Sequence, residues 1–305
     1  MKNKSIPELD KLFLEIGTYR KSNELKELFE FVKKFPHIAP YNAMLIHIQK
    51  PGSQYVATAA EWEKKFNRNI NPGARPLVIL RLFGPVSFVF ELSDTFGKAP
   101  FPEELINPFK VKGQVANVVF NRLINNLKSD GILYSEVDHG TSSAGFIQIS
   151  SSQREGKILR SKKEIWVKIL YEMVVNRTHP QETRFATILH ELAHVYCGHL
   201  GTPNPKWWGD RRHLDKNERE FEAESVCWLV CERRGLKNPS AEYLNGYLKD
   251  NKEIPNISID TVLKSVAIIE SMLKSNKEPR KEIVKRINEI KQEKNVQLSL
   301  NFNIT

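Results

Sequence analysis

Apolar residues in SNELKELFEFVKKF (22–35) recur at helical spacing, so the pattern predicts an amphipathic helix closed by Pro36. YNAMLIHIQK (41–50) predicts a second helix, ended by Pro51-Gly52. PLVILRL (76–82) and VSFVFEL (86–92) are β-rich runs around Phe83-Gly84-Pro85 and predict a hairpin. Pro100, Pro102 and Pro108 interrupt regular structure and mark a boundary. Beyond it, Val115, Val119, Leu123 and Leu127 recur every four residues before Gly131, which predicts a helix over 114–130. Three strands are expected next, at 132–137, 145–150 and 166–175, with the Ser-, Lys- and Arg-rich stretch 151–164 as a mobile surface loop. Thr178 and Gln181 then offer a capping box, with Pro180 in the first turn of a new helix, and 274–294 reads as a charged helix. This order gives an α+β class and three segments: a small N-terminal domain (1–105), a second domain (106–275), and a charged helix with a tail (276–305).

Composition narrows the function classes. The 305 residues are 40% hydrophobic, enough for a buried core, which argues against a disordered chain. Forty-six basic and 36 acidic residues leave a net charge of +10, spread over both halves; it permits acidic partners without requiring any. No long apolar run predicts a membrane span or a secretion signal, and three cysteines fit reduced thiols, so a cytoplasmic location is expected.

The helix expected after Thr178 contains His190-Glu191-Leu192-Ala193-His194, an H-E-x-x-H pattern. At about 100° per residue, the two histidines lie about 40° apart, one turn above the other, so both imidazoles can reach one metal ion. Glu191 sits about 100° from His190, close enough to hold a water at that ion. Phe185, Ile188, Leu189, Leu192, Val195 and Tyr196 gather on the other side, so the helix buries one face and offers the other to a cleft. A helix with solvated His and Glu is the plain alternative.

A catalytic zinc site takes three protein ligands and a water. His199 lies about 140° from His194 on a continued helix, so it is expected after a turn around Gly198 and Gly201, exposed or supporting a ligand. The next helix, capped by Asp215 with Glu218, places Glu220 and Glu224 on one face and Glu222 on another. Glu220 is assigned as the third ligand and Glu224 as support for a ligand or the catalytic water. A solvated glutamate-rich face is the alternative. Cys227 and Cys231 extend that face; close helix packing explains them better than a soft-metal site, and the VCWLVC stretch should be buried.

ATILHELAHVYCGH (186–199), EFEAESVCWLV (220–230) and SAEYLNGYL (240–248) together resemble the ImmA/IrrE zinc metallopeptidases and the metallopeptidase domain of ArdC antirestriction proteins. The resemblance covers about the second half of the chain and implies a minimal zincin-like fold, a small sheet beside the active-site helix, with Zn2+ as cofactor and Glu220 as third ligand. Glu191 would take a proton from the zinc-activated water and pass it to the leaving amine of a protein or peptide substrate. His213, Tyr243 and Tyr247 are candidates near the cleft for stabilising the oxyanion. The stretch 41–80 is loosely similar to the ArdC N-terminal domain, which implies single-stranded DNA as a partner. Tyr55, Trp62, Phe66, Phe83 and Phe88 could stack on bases there, although a small hydrophobic core accounts for most of them. Gln297, Leu298, Leu300 and Phe302 in QLSLNF resemble the peptide by which bacterial proteins bind the DNA polymerase sliding clamp; a terminal edge strand is the alternative. The leading expectation is a zinc metallopeptidase acting on a specific intracellular protein. Its rivals are an ArdC-like DNA-binding protein with a structural or vestigial zinc site, and a clamp-associated adaptor.

Overall fold

The computed structural model describes residues 22–289, apart from 82–83, 99, 103–104, 106–112, 139–143 and 237–253. Among the described residues, seven α-helices and several small sheets make an α+β protein. Helices α1 (Ser22–Lys34) and α2 (Pro40–Gln49) form where the apolar spacing predicts them. Strands β3 (Leu77–Arg81) and β4 (Gly84–Glu91) form the expected antiparallel hairpin, and the short β1 (Val56–Ala57) adds to the other edge of β4. Between them, α3 (Ala59–Phe66) starts on a capping box of Thr58 and Glu61, and β2 (Arg68–Ile70) pairs with β5 (Thr95–Gly97).

One aromatic cluster of this first part centres on a core residue. Trp62 is fully buried and donates its indole N–H to the Phe90 carbonyl, while Tyr55, Phe66 and Phe101 pack around it. Phe88, in contrast, is 55% exposed, and Phe83 lies outside the described residues.

Helix α4 (Asn117–Leu127) runs into a 3-10 turn that Gly131 closes in the left-handed region, at φ 74°. Strands β6 (Ile132–Val137), β10 (Tyr171–Asn176) and β7 (Gly145–Ile149) then make a sheet with β10 in the middle, parallel to β6 and antiparallel to β7. Helix α5 (Gln181–Tyr196) follows β10 and packs on β7 and β10. Helices α6 (Lys216–Glu232) and α7 (Ile259–Lys274) complete the layer, and α5 and α6 lie side by side.

Four expectations are corrected. The stretch 151–164 is no loop: β8 (Glu155–Arg160) and β9 (Lys163–Lys168) form a hairpin, and the single strand expected at 166–175 is divided between β9 and β10. Its two-residue turn is Ser161-Lys162, both at positive φ (41° and 66°), a conformation usually signalled by Asn or Gly. The capping box at Thr178 does not form, because the Thr178 hydroxyl donates to Asn176 and the Gln181 amide to the Val115 carbonyl, leaving Pro180 as an N-cap without a side-chain bond. Where a charged helix is expected over 274–294, the described residues up to Glu289 form a 3-10 turn (Lys281–Ile283) and a strand, β11 (Val284–Glu289), paired antiparallel to β9. Ile283 packs with Ile158, Ile165 and Val167, and Arg286 lies over the Trp166 ring, so contacts with a distant hairpin outweigh a local helical pattern. Residues 290–305, including Gln297, Leu298, Leu300 and Phe302, lie outside the described residues.

One hydrophobic cluster runs without a break from Leu25 to Leu273, across the expected boundary at 105. Arg233, just past α6, ties the first helices to the last. Its buried guanidinium donates to Glu270 on α7 (2.7 and 3.3 Å) and to the carbonyls of Val32, Phe35 and Ile38 (2.6, 3.0 and 2.9 Å). All five donors of the side chain are therefore used. Arg233→Ala strands the Glu270 carboxylate and is expected to cost about 3–5 kcal/mol in urea unfolding; a loss under about 1 kcal/mol would mean that the pair is screened like a surface one.

Candidate metal centre

Helix α5 is amphipathic as its sequence requires. Phe185, Ile188, Leu189, Leu192, Val195 and Tyr196 are buried, and His190 and His194 stand one above the other on the opposite face. Their Nε2 atoms lie 3.1 Å apart. From the adjacent α6, Glu220 brings Oε2 to 3.4 Å from His190 Nε2 and Oε1 to 3.8 Å from His194 Nε2. The three groups thus offer donor atoms that all lie within 4.8 Å of one another. Donors placed tetrahedrally around one zinc ion are roughly 3.3 Å apart, close to the observed separations.

The local sequence explains how α6 presents Glu220. Asp215 and Glu218 form a reciprocal capping box that fixes the start of the helix. Glu220 and Glu224 then share the face turned to α5, and Glu222 takes the opposite, fully buried side. Glu224 Oε1 is 3.3 Å from His190 Nδ1, so that ring is held from behind while its Nε2 meets the other donors. Such a carboxylate fixes the tautomer of a metal-binding histidine.

The electrostatics describe a site built for positive charge. Burial disfavours a proton on His190, but the hydrogen bonds it donates to Glu220 and Glu224 outweigh this and push its pKa up to about 10. Burial together with His190 and His199 lowers His194 to about 3. Glu220, hydrogen-bonded to His190, is held below the usual carboxylate range despite partial burial. One positive charge is therefore accommodated among the three groups, where a metal cation could replace the proton. Glu191, beside them, is raised to about 7 by burial, an effect that the nearby Glu220 and Glu224 reinforce and that His190 and a hydrogen bond from the Ile147 backbone N–H oppose.

His199 takes the supporting position that is one of its two expected roles, and Arg211 joins it without any signal in the sequence pattern. Helix α5 ends at Gly198 in the left-handed region (φ 77°), where an added Cβ would lie 2.0 Å from the Gly209 carbonyl oxygen. The turn sends the chain back, so the His199 N–H bonds the His194 carbonyl and the His199 ring reaches the His194 ring. His199 is thus buried rather than exposed. Its partner is Glu222, which also receives both terminal nitrogens of Arg211. Despite burial, these bonds and one from the Ser258 backbone hold the Glu222 carboxyl below its ordinary range. The Gly198 stop was the available signal for His199; no spacing rule pointed to Arg211.

His213 is exposed in the turn that precedes α6, and Tyr243 and Tyr247 lie outside the described residues. Cys227 and Cys231 are buried in the helix layer, and the Cys227 thiol donates to the Ala186 carbonyl across the α5–α6 contact, consistent with packing. Comparisons with protein-family models, with curated proteins and with solved structures found no match. Among the described residues, no helix is long and apolar enough to cross a membrane.

Metal analysis by mass spectrometry tests the donor set. About one divalent ion per chain is expected in wild type, with loss in both His194→Ala and Glu220→Ala. Retention in Glu220→Ala would pass the third position to Glu224.

Proposed function

We propose that this chain is a zinc-dependent metallopeptidase of α+β, zincin-like architecture, in which His190, His194 and Glu220 hold the metal. Two imidazoles and one carboxylate suit zinc, and the set leaves a fourth position for water or substrate. Bound zinc supplies Lewis acidity that acidifies a water and polarises a carbonyl. Glu191 is the base. Its carboxyl group, beside the three donors and held by the Ile147 N–H, would take a proton from the attacking water and return it to the leaving amine.

The surroundings favour an extended peptide as substrate. Glu191 is hydrogen-bonded by Ile147 of β7, which is an edge strand, paired only with β10 among the described residues. No strand among the described residues pairs with this edge, and beyond the Ile147 N–H already given to Glu191 its main chain can add a substrate strand, with side-chain contacts supplying selectivity. Phe146 and Ile149 are exposed on the same strand and offer apolar contacts. His190, His194 and Glu220 converging beside a Glu191 anchored to an open strand is the observation that carries this reading.

Zinc-loaded protein incubated with a proteome-derived peptide library, with products identified by mass spectrometry, is expected to cleave a subset of sequences. Glu191→Gln should keep its zinc and lose at least about 10²-fold in rate. No cleavage of any peptide by the zinc-loaded wild type, or undiminished cleavage by Glu191→Gln, would overturn the assignment.

A further inference from the structure

The two nitrogens of the His194 ring have different neighbours. Nε2 faces His190 and Glu220, whereas Nδ1 lies 2.9 Å from Nδ1 of His199. The His199 ring is 2% exposed, and its Nε2 is 3.0 Å from Glu222 Oε2. Glu222 has no exposed surface and accepts from Arg211 at both oxygens, and from the Ser258 N–H at 2.7 Å.

With a neutral imidazole at His199, these contacts set the direction of every hydrogen bond in the row. Arg211 and the Ser258 amide can only donate, so Glu222 is the acceptor throughout. The proton between Glu222 and His199 therefore sits on His199 Nε2. A neutral imidazole protonated at Nε2 presents a lone pair at Nδ1, so the 2.9 Å contact with His194 is completed by a proton on His194 Nδ1. That leaves the Nε2 lone pair of His194 directed at His190 and Glu220.

We propose that His199 is a positioning residue that sets the tautomer and ring orientation of His194 for metal binding, with Glu222 and Arg211 fixing the direction of the relay. The proposal rests on the metal-site reading above and extends it to residues that touch no metal. His190 needs no such intermediary, because Glu224 reaches its Nδ1 directly.

The neighbouring grouping of Cys197, His199 and Glu222 is compact enough for a second metal, but its donors are already committed. Arg211 occupies both Glu222 oxygens and places a fixed positive charge there. Burial pushes the Cys197 thiol up to about 12, and it pairs with the Ser265 hydroxyl. His199 and Glu222 therefore serve as a support for the first site.

Zinc affinity, measured by competition with a chromophoric chelator, separates this role from plain packing. His199→Phe keeps the ring and removes both hydrogen bonds; it is expected to bind zinc ~10–100-fold more weakly. His199→Asn, whose side-chain oxygen can accept from His194 Nδ1, should recover part of that loss, while thermal unfolding of the metal-free proteins reports any general damage. Long-range 15N–1H spectra of the zinc-loaded wild type should show His194 protonated at Nδ1 and His199 at Nε2. Wild-type affinity in His199→Phe, equal losses in both variants, His194 protonated at Nε2, or two zinc ions per chain would each overturn the relay while leaving zinc binding itself intact. A wild type that binds no zinc would instead remove the metal-site reading and the relay with it. If His199→Phe does not fold, the Asn variant and the wild-type spectra still decide the question.

Discussion

A buried carboxylate organises this molecule. Glu222, on the inner face of α6, is desolvated completely and survives as an anion only because three separate parts of the chain bring it donors: His199 after α5, Arg211 from the turn before α6, and the backbone N–H of Ser258 at the start of α7. An unpaired charge at that depth would cost several kcal/mol, so none of the three can be displaced independently. Because Glu220 lies on the other side of the same helix, the contact that secures Glu222 inward also fixes how far Glu220 reaches toward His190 and His194.

A second buried pair does related work at the other end of α6. Arg233 and Glu270 join the C-terminal end of that helix to α7, and the carbonyls of Val32, Phe35 and Ile38 bring in the N-terminal helices. Helix α6 is thus held by a charged network at each end, with Val226, Cys227, Leu229, Val230 and Cys231 buried in between. A metal centre benefits from such rigidity, since ligands that are held in place lose less freedom when they bind. Glu191 is bordered by β7, an edge strand among the described residues, whose Ile147 N–H it accepts.

Regular local patterns were readable without the fold. The 3.6-residue period of α5 placed six apolar residues in the core and the two histidines on the opposite face, and the Asp215–Glu218 cap announced the start of α6. The β3–β4 hairpin and the Gly131 stop were equally plain. Failures occurred where distant contacts decide. The turn at Ser161-Lys162 carries no Asn or Gly, so the β8–β9 hairpin resembled a polar loop, and β11 looked helical until β9 offered it hydrogen bonds.

The sequence by itself determined the chemistry on offer: two imidazoles one turn apart, a glutamate beside them, and two carboxylates on one face of a later helix. Helical geometry is local, so spacing alone fixes these relations. Only the tertiary structure decided which groups meet. It carried Glu220 across to the histidines, turned His199 back at Gly198, and supplied Arg211 and Ser258 to Glu222. Those relations depend on how separate segments pack and on the need to pair every buried charge, which no spacing along the chain encodes.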